Sequence, residues 1–313
     1  MSTPAPCAAS PRKIQRIDHI FVSHAHIYHF IGFDRLLRLL VGRPKSVHLH
    51  GPPGFTDRVF HKLQGYHWNL VDLYRNDLVI IVSELDSQSS IRTIRFRLKN
   101  GFAAEEMAAA RMSGNVLHSE PTYRVSAAVL EHRTPCLGFA LQEAAHVNIW
   151  KTRLAERGLS VGPWLRDLKR AVIEKYPDDH VIRVDAGSAD SQRIPLGQLR
   201  DVLTITSGQK IAYITDVADT LANRKAIIDL VGDADVLFIE AAFARADAAL
   251  AAERAHLTTE AAGQIAREAR VRRVEPFHFS PRYAGEEKRM LSDVLAAFAG
   301  PPAETTRDVL KGS

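Results

Sequence analysis

A chain of 313 residues with 46% hydrophobic side chains is long enough to bury one large core or two small ones. Its 41 Lys and Arg outweigh 36 Asp and Glu to leave a net charge of +5, which suits an anionic substrate without identifying one. Only Cys7 and Cys136 are present, which excludes a disulfide framework and any CxxC metal knuckle, so a metal site has to be built from His and carboxylate.

Met1 to Lys13 is small, polar and Pro-containing and reads as a disordered tail with no secretory signal. Apolar runs further on break well before the roughly 18 residues that a membrane span needs, so the expectation is a cytoplasmic protein with no membrane partner. Ile17 to Val22 reads as a strand, and Phe30 to Leu40 carries apolar residues at helical spacing. Between them lies Ser23-His24-Ala25-His26-Ile27-Tyr28-His29, a strand-to-helix turn crowded with three imidazoles. Neutral imidazole binds Zn²⁺ or Fe²⁺ at neutral pH, and a turn lets side chains two and five positions apart converge. The alternative is a set of ordinary surface histidines.

Val47 to His50 is a short alternating strand closed by Gly51-Pro52-Pro53-Gly54. Its own HxH, His48 and His50, reads as a half-exposed pair beside a turn, because no third ligand follows. A helix is expected within Asp57 to Tyr74, then strands at Leu78 to Ser83, Ile91 to Leu98 and Tyr123 to Leu130, the last running into Glu131-His132. From about Ala144 to Arg200 basic residues accompany Trp150 and Trp164, with Gly158 and Gly162-Pro163 as breakers. This segment reads as an inserted arm, spanning 144–200 within a main domain of 14–300. Basic residues beside aromatics suit phosphates and stacked bases, while a solvated helix pair with buried tryptophans accounts for them equally. Asp178 to Gln198 has the composition of a loop.

Lys210 to Thr215 is a buried-type strand ending at Asp216, and Ala234 to Ile239 is another, reaching Glu240. Helices are expected at Leu221 to Val231 and, with Thr258 as N-cap, from Thr259 to Ala269. Val271 to Phe277 is the last strand and delivers His278; a closing helix follows at Leu291 to Phe298, and 301–313 is left as a tail. Strands and helices alternate as in a layered α/β domain. Four strands end at the His24–His29 cluster, His132, Asp216 and His278, residues that meet if one edge of a sheet gathers them.

On these motifs the chain resembles the metallo-β-lactamase fold and, within it, the ribonuclease Z family, the endonucleases that remove 3′ trailers from precursor tRNA. The segment from Ser23 to His29 looks like the family's SHxHxDH loop, Glu131-His132-Arg133-Thr134-Pro135 with Gly138-Phe139 like its next His motif, and Tyr213-Ile214-Thr215-Asp216 like the strand bearing the bridging Asp. His256-Leu257-Thr258 resembles the segment with a catalytic His, His278 to Tyr283 the HFSxRY signature, and Gly158 to Trp164 part of the substrate arm. The resemblance implies a four-layer αββα sandwich, an RNA partner in precursor tRNA, and a homodimer. It implies that His24, His26 and His132 hold one Zn²⁺ and that Asp216 bridges to a second held by His29 and His278, with Mn²⁺ as a substitute. A bridging hydroxide would attack phosphorus, His256 would protonate the leaving 3′-oxygen or steady the phosphorane, and Thr258, Ser280 and Arg282 would contact phosphate oxygens. Arg282 equally suits a carboxylate partner.

Two departures qualify the resemblance. Position 28 is Tyr where the family has Asp, which removes a charge and a hydrogen-bond acceptor and sets a ring where water would sit. Three readings follow: a weakened enzyme with one firmly held metal, an enzyme using Tyr28 as a phenolate ligand, or a non-catalytic RNA-binding or scaffold relative. A metallo-hydrolase of another ester, lactone or small phosphodiester is a further alternative. The second departure is that only a short tail precedes Ile14 where the family has a Gly-rich strand and an Asp-Cys-Gly segment. The expectation is a fold without its first strands, or a start site assigned too late.

Overall fold

The computed structural model describes residues 10–86, 90–185 and 191–300 and divides into two compact units, 1–120 with 124–141 and 210–313, and 121–123 with 142–209. Residues 1–9 and 301–313, which hold most of both expected tails, lie outside the described residues. Pro11–Ile14, by contrast, forms a helical turn that anchors a fully buried Ile14.

In the larger unit β1 (His19–Phe21), β2 (Lys45–Gly51) and β3 (Leu78–Leu85) run parallel, and β4 (Ser90–Arg97) pairs antiparallel with β3. The short β5 (Ala104–Glu106) and β6 (Ala110–Arg111) both pair with β4. Alternation sorts the faces of this sheet: Val47, Leu49, Ile80, Val82, Ile94 and Phe96 are buried under helices, while His19, Phe21, His48 and His50 take the other side. The helix Gly32–Leu40 presents Phe33, Leu36, Leu37 and Leu40 to that core and turns Arg35 and Arg38 outward. Each buried apolar side chain of that stripe contributes about 1.5–3 kcal/mol. The helix expected within Asp57 to Tyr74 is Phe55–Gln64 followed by a single 3₁₀ turn.

The chain continues through β7 (Val116–Glu120), β8 (Tyr123–Glu131) and β9 (Pro135–Glu143). It forms β10 (His146–Ile149), β11 (Val181–Asp185), β12 (Ser191–Pro195) and β13 (Leu203–Thr206) of the smaller unit, then β14 (Lys210–Ile214), β15 (Val236–Glu240) and β16 (Val274–Phe277). The second sheet of the larger unit has the order β16-β15-β14-β9-β8-β7, with β14, β15 and β16 parallel. Its outer face is covered by the helices Leu221–Val231, Thr259–Glu268 and Glu287–Ala299, which bury Ile227, Ile265 and Val294 against Ile214, Leu237 and Ile239. Gly263 lets two of these helices meet, because a Cβ there would fall 2.5 Å from Ala297 and from the Val294 carbonyl. Thr258 caps the middle helix by accepting from Ala261 N at 3.1 Å. The inner faces of the two sheets touch where Leu137 N donates to Ser23 O at 2.8 Å and the Phe21 and Phe139 rings lie 5.7 Å apart. Helices thus flank two facing sheets, the αββα sandwich of the metallo-β-lactamase fold.

The smaller unit pairs β10 with β13 and β11 with β12, both antiparallel, and buries Leu154, Trp164, Leu168 and Val172 from its two helices against Ile182, Leu196 and Leu199. Asp178 to Gln198 is therefore not all loop: Val181–Asp185 and Ser191–Pro195 pair antiparallel as β11 and β12, whose Val and Ile are interrupted by Arg and so read as polar in the sequence. The two tryptophans part ways. Trp164 is core, whereas Trp150 is half exposed with the Arg153 guanidinium 5.4 Å above its ring. No helix among the described residues is long and apolar enough to cross a membrane.

Candidate metal centre

The parallel strands β14, β15 and β16 are neighbours, so the residues at or just past their C-terminal ends emerge side by side: Asp216, Glu240 and His278. The turn after β1 brings His24, His26 and His29 to the same rim, and the end of β8 brings His132. Nε2 of His29 stands 3.0 Å from Asp216 Oδ2, Nε2 of His24 3.4 Å and Nε2 of His132 3.8 Å, while Nδ1 of His278 is 3.2 Å from Asp216 Oδ1. His24 Nε2 and His26 Nδ1 are 3.0 Å apart. His24, His26, His132 and Asp216 each bring one ligand atom within 4.8 Å of the others, and so do Asp216, Glu240, His256 and His278. All six residues expected as metal ligands are thus gathered in one place.

The rings are held by their far nitrogens. His132 Nδ1 lies 2.7 Å from the Ala255 carbonyl, which fixes the proton on that nitrogen and leaves the Nε2 lone pair to face Asp216. Ser23 Oγ is 3.1 Å from His24 Nδ1 and holds that ring in place. Asp216 Oδ1 accepts from Thr215 Oγ1 at 2.8 Å. The backbone bends sharply to achieve this: Asp216, His278, Arg133 and Ala255 all have φ between 45° and 64° without being glycine. Such conformations cost of order 1–3 kcal/mol each and cluster at sites where position matters more than local ease.

Electrostatics follow the crowding. Burial would raise the Asp216 carboxyl, but hydrogen bonds from His24 and His29 and the charges of His278 and His29 hold it well below the usual carboxylate range. Burial also pushes His132 and His26 down, so both imidazoles stay neutral, the form that binds metal. For His278 the desolvation that would lower it is overcome by the hydrogen bond to Glu240 and the charge of Asp216, and it moves up. Three or more imidazole nitrogens around one carboxylate, with no thiolate, fit a borderline divalent ion such as zinc or manganese and fit a hard ion poorly.

Glu240 is the residue that sequence reasoning passed over. It is fully buried, accepts from Val217 N at 2.7 Å and from Leu257 N at 3.4 Å, and sets Oε2 2.8 Å from His256 Nδ1. Burial would raise this carboxyl, but hydrogen bonds from His256 and His278 and the charge of His256 hold its pKa below the usual range. Its signal was in the text, a Glu closing the apolar run Val236–Ile239. His256 itself lies with its ring 4.6 Å from that of His132 and 5.5 Å from that of His278.

Tyr28 stands apart. It is 75% exposed, so its ring does not fill the water position that the sequence assigned to it. Ile27 and Ile31 are exposed beside it. Thr258 spends its hydroxyl oxygen as the helix cap, and Arg282 has Nη1 3.8 Å from Asp247 Oδ1, the carboxylate partner that was its alternative. Ser280 is half-buried and bonds through its own N–H to the Ala242 carbonyl.

The beta-lactamase superfamily domain model matches residues 199–279, the span that runs from the end of the smaller unit through Asp216 and Glu240 to His278. A ribonuclease Z from Deinococcus radiodurans is 33% identical over 305 residues, covering 96% of this chain and 87% of its own length. The chain belongs to the ribonuclease Z family. A second family member, from Crocosphaera subtropica, is 28% identical over 286 residues, 90% of this chain and 75% of that protein. Among solved structures, human tRNase Z, short form, aligns over 87% of this chain and 75% of its own with 19% identity and a TM-score of 0.49.

Proposed function

We propose that this member of the ribonuclease Z family is a metal-dependent endoribonuclease that cleaves the 3′ trailer from precursor tRNA. The observation that carries the reading is the convergence of His24, His26 and His132 on Asp216, with the Glu240–His256 pair directly beside them. One divalent ion, Zn²⁺ or Mn²⁺, would be held by the three histidines and Asp216, and a second by Asp216, His29 and His278. Bound there, such ions supply the Lewis acidity that lets water attack a phosphodiester at neutral pH.

The chain's own groups do the rest. His256, its Nδ1 held by Glu240, carries a proton on Nε2 to the 3′-oxygen that leaves as the P–O bond breaks. Ser280 and Arg282 follow His278 closely enough to meet the phosphate oxygens, and the exposed Trp150 and its basic neighbours supply stacking and phosphate contacts. A cytoplasmic location and assembly as a homodimer belong to the same reading.

Cleavage of a precursor tRNA with Zn²⁺ or Mn²⁺ tests it. The wild type is expected to release the trailer, and Tyr28→Asp, which restores the motif carboxylate, to do so faster by up to about 10²–10⁴-fold. If both proteins are inert while folded and metal-loaded, the endonuclease reading falls. The exposure of Tyr28 favours a second reading, a catalytically degenerate relative that keeps the fold and binds RNA. Turnover in the wild type that His26→Ala abolishes removes it.

A further inference from the structure

A second group of imidazoles occupies the inner face of the first sheet, and it corrects the expectation that His48 and His50 are a half-exposed pair lacking a third partner. His19 in β1 and His50 in β2 share that face, with Nδ1 of His19 3.3 Å from Nε2 of His50. His118, from β7 of the other sheet, sets its ring 4.0 Å from that of His19 and 5.6 Å from that of His50. One ring nitrogen from each of the three lies within 4.8 Å of the others. Behind them His48 stacks on His50 at 4.4 Å and is tied by Nε2 to Ser83 Oγ at 2.8 Å, while Phe21 stacks on His50 at 4.6 Å.

We propose that His19, His50 and His118 form a second metal site, for a borderline divalent transition ion such as Zn²⁺, which clips the edge strands of the two sheets together. Tetrahedral zinc with Zn–N bonds of about 2.0–2.1 Å separates its nitrogen ligands by roughly 3.3 Å, and the His19–His50 pair already has that spacing. The remaining separations need closure of about 1.5 Å or less on that geometry. Three imidazoles with no carboxylate among them select against Mg²⁺ and Ca²⁺. His50 is 2% exposed, so its Nε2 faces His19 and not solvent.

Access and purpose are both supplied by the edges. β1 ends one sheet and β7 ends the other, and His19 and His118 are half-buried rather than enclosed, so an ion can enter from solvent. Edge strands of three and five residues have little ladder bonding to hold them, and a bond network across both sheets would pin them. The site shares no residue with the cluster around Asp216 and does not depend on the reading of that cluster.

The full chain, saturated with Zn²⁺ and freed of excess by dialysis, gives the test by elemental analysis and thermal unfolding. His118→Asn and His19→Asn, both at half-buried positions, are each expected to carry about one zinc fewer per chain than the wild type. The His26→Ala variant, impaired in the other cluster, is expected still to gain in Tm on adding Zn²⁺, and His26→Ala/His118→Asn to gain clearly less. Equal zinc content in wild type and both single variants, folded by circular dichroism, overturns the proposal.

Discussion

The two histidine clusters of the larger unit start from the same strand and are held in opposite ways. Around Asp216 the rings sit on turns past strand ends, and each is steered by a bond on its far side: His24 by Ser23, His132 by Ala255, His256 by Glu240. Around His50 the rings stand on strand faces, and stacking on Phe21 and on one another does most of the positioning. Strand ends leave room for a carboxylate, a substrate and a bent backbone, which is why four left-handed residues gather at or beside the first cluster. Strand faces give neighbours at fixed pleat spacing and take no such strain, but they bury what they hold. Burial, helped by the neighbouring imidazoles, lowers His48 to about 4 and His50 further, leaving imidazoles that are neutral at any physiological pH. Chemistry belongs with the first arrangement and static cross-linking with the second.

The sharpest break in that contrast would come from His256→Ala. If strand-end rings act on substrate, trailer cleavage falls by about 10²–10⁴-fold in kcat while zinc content is unchanged; an unaltered rate would demote His256 to packing. Glu240→Gln keeps the shape and removes the charge that steers His256. It is expected to cost about 10–100-fold in activity, measured in the same assay, with KM little altered. A loss confined to stability would mean that Glu240 serves the fold and not the ring.

Smaller effects probe the scaffold. Thr258→Ala removes the cap of the helix that follows His256 and should lower unfolding free energy by about 1 kcal/mol in urea melts. Tyr28→Phe sharpens the comparison from the other side. The ring is three-quarters exposed, so stability should change by less than about 0.5 kcal/mol and zinc content not at all. A drop in zinc content on losing the hydroxyl would bring the phenolate-ligand reading back.

Much of the larger unit is legible in the residues because local physics decides it. Leu221–Val231 and the capped helix after Thr258 carry their own periodicity and stop signals, and the strands before Asp216, Glu240 and His278 are apolar runs that announce their ends. The family motifs name six ligands that do come together, five in the two clusters and His29 through its contact with Asp216. Two features stayed hidden because their partners lie far off in the chain. Glu240 looks like any strand-terminal acid until His256, sixteen residues later, is seen to close on it. His50 looks like a surface residue until strand pairing sets His19 beside it and the facing sheet delivers His118. The β11–β12 pair escaped for a third reason, arginines set among its valines and isoleucines.

The order of elements, the residue types able to bind a metal and the departure at position 28 were fixed by the sequence, since each is a property of a short stretch read against general chemistry. Where Tyr28 points, which carboxylate steers His256, and that histidines 19, 50 and 118 meet at all were decided by tertiary structure. Those facts depend on two sheets closing face to face, and the spacing of residues along a chain carries no information about what a second sheet will bring within 4 Å.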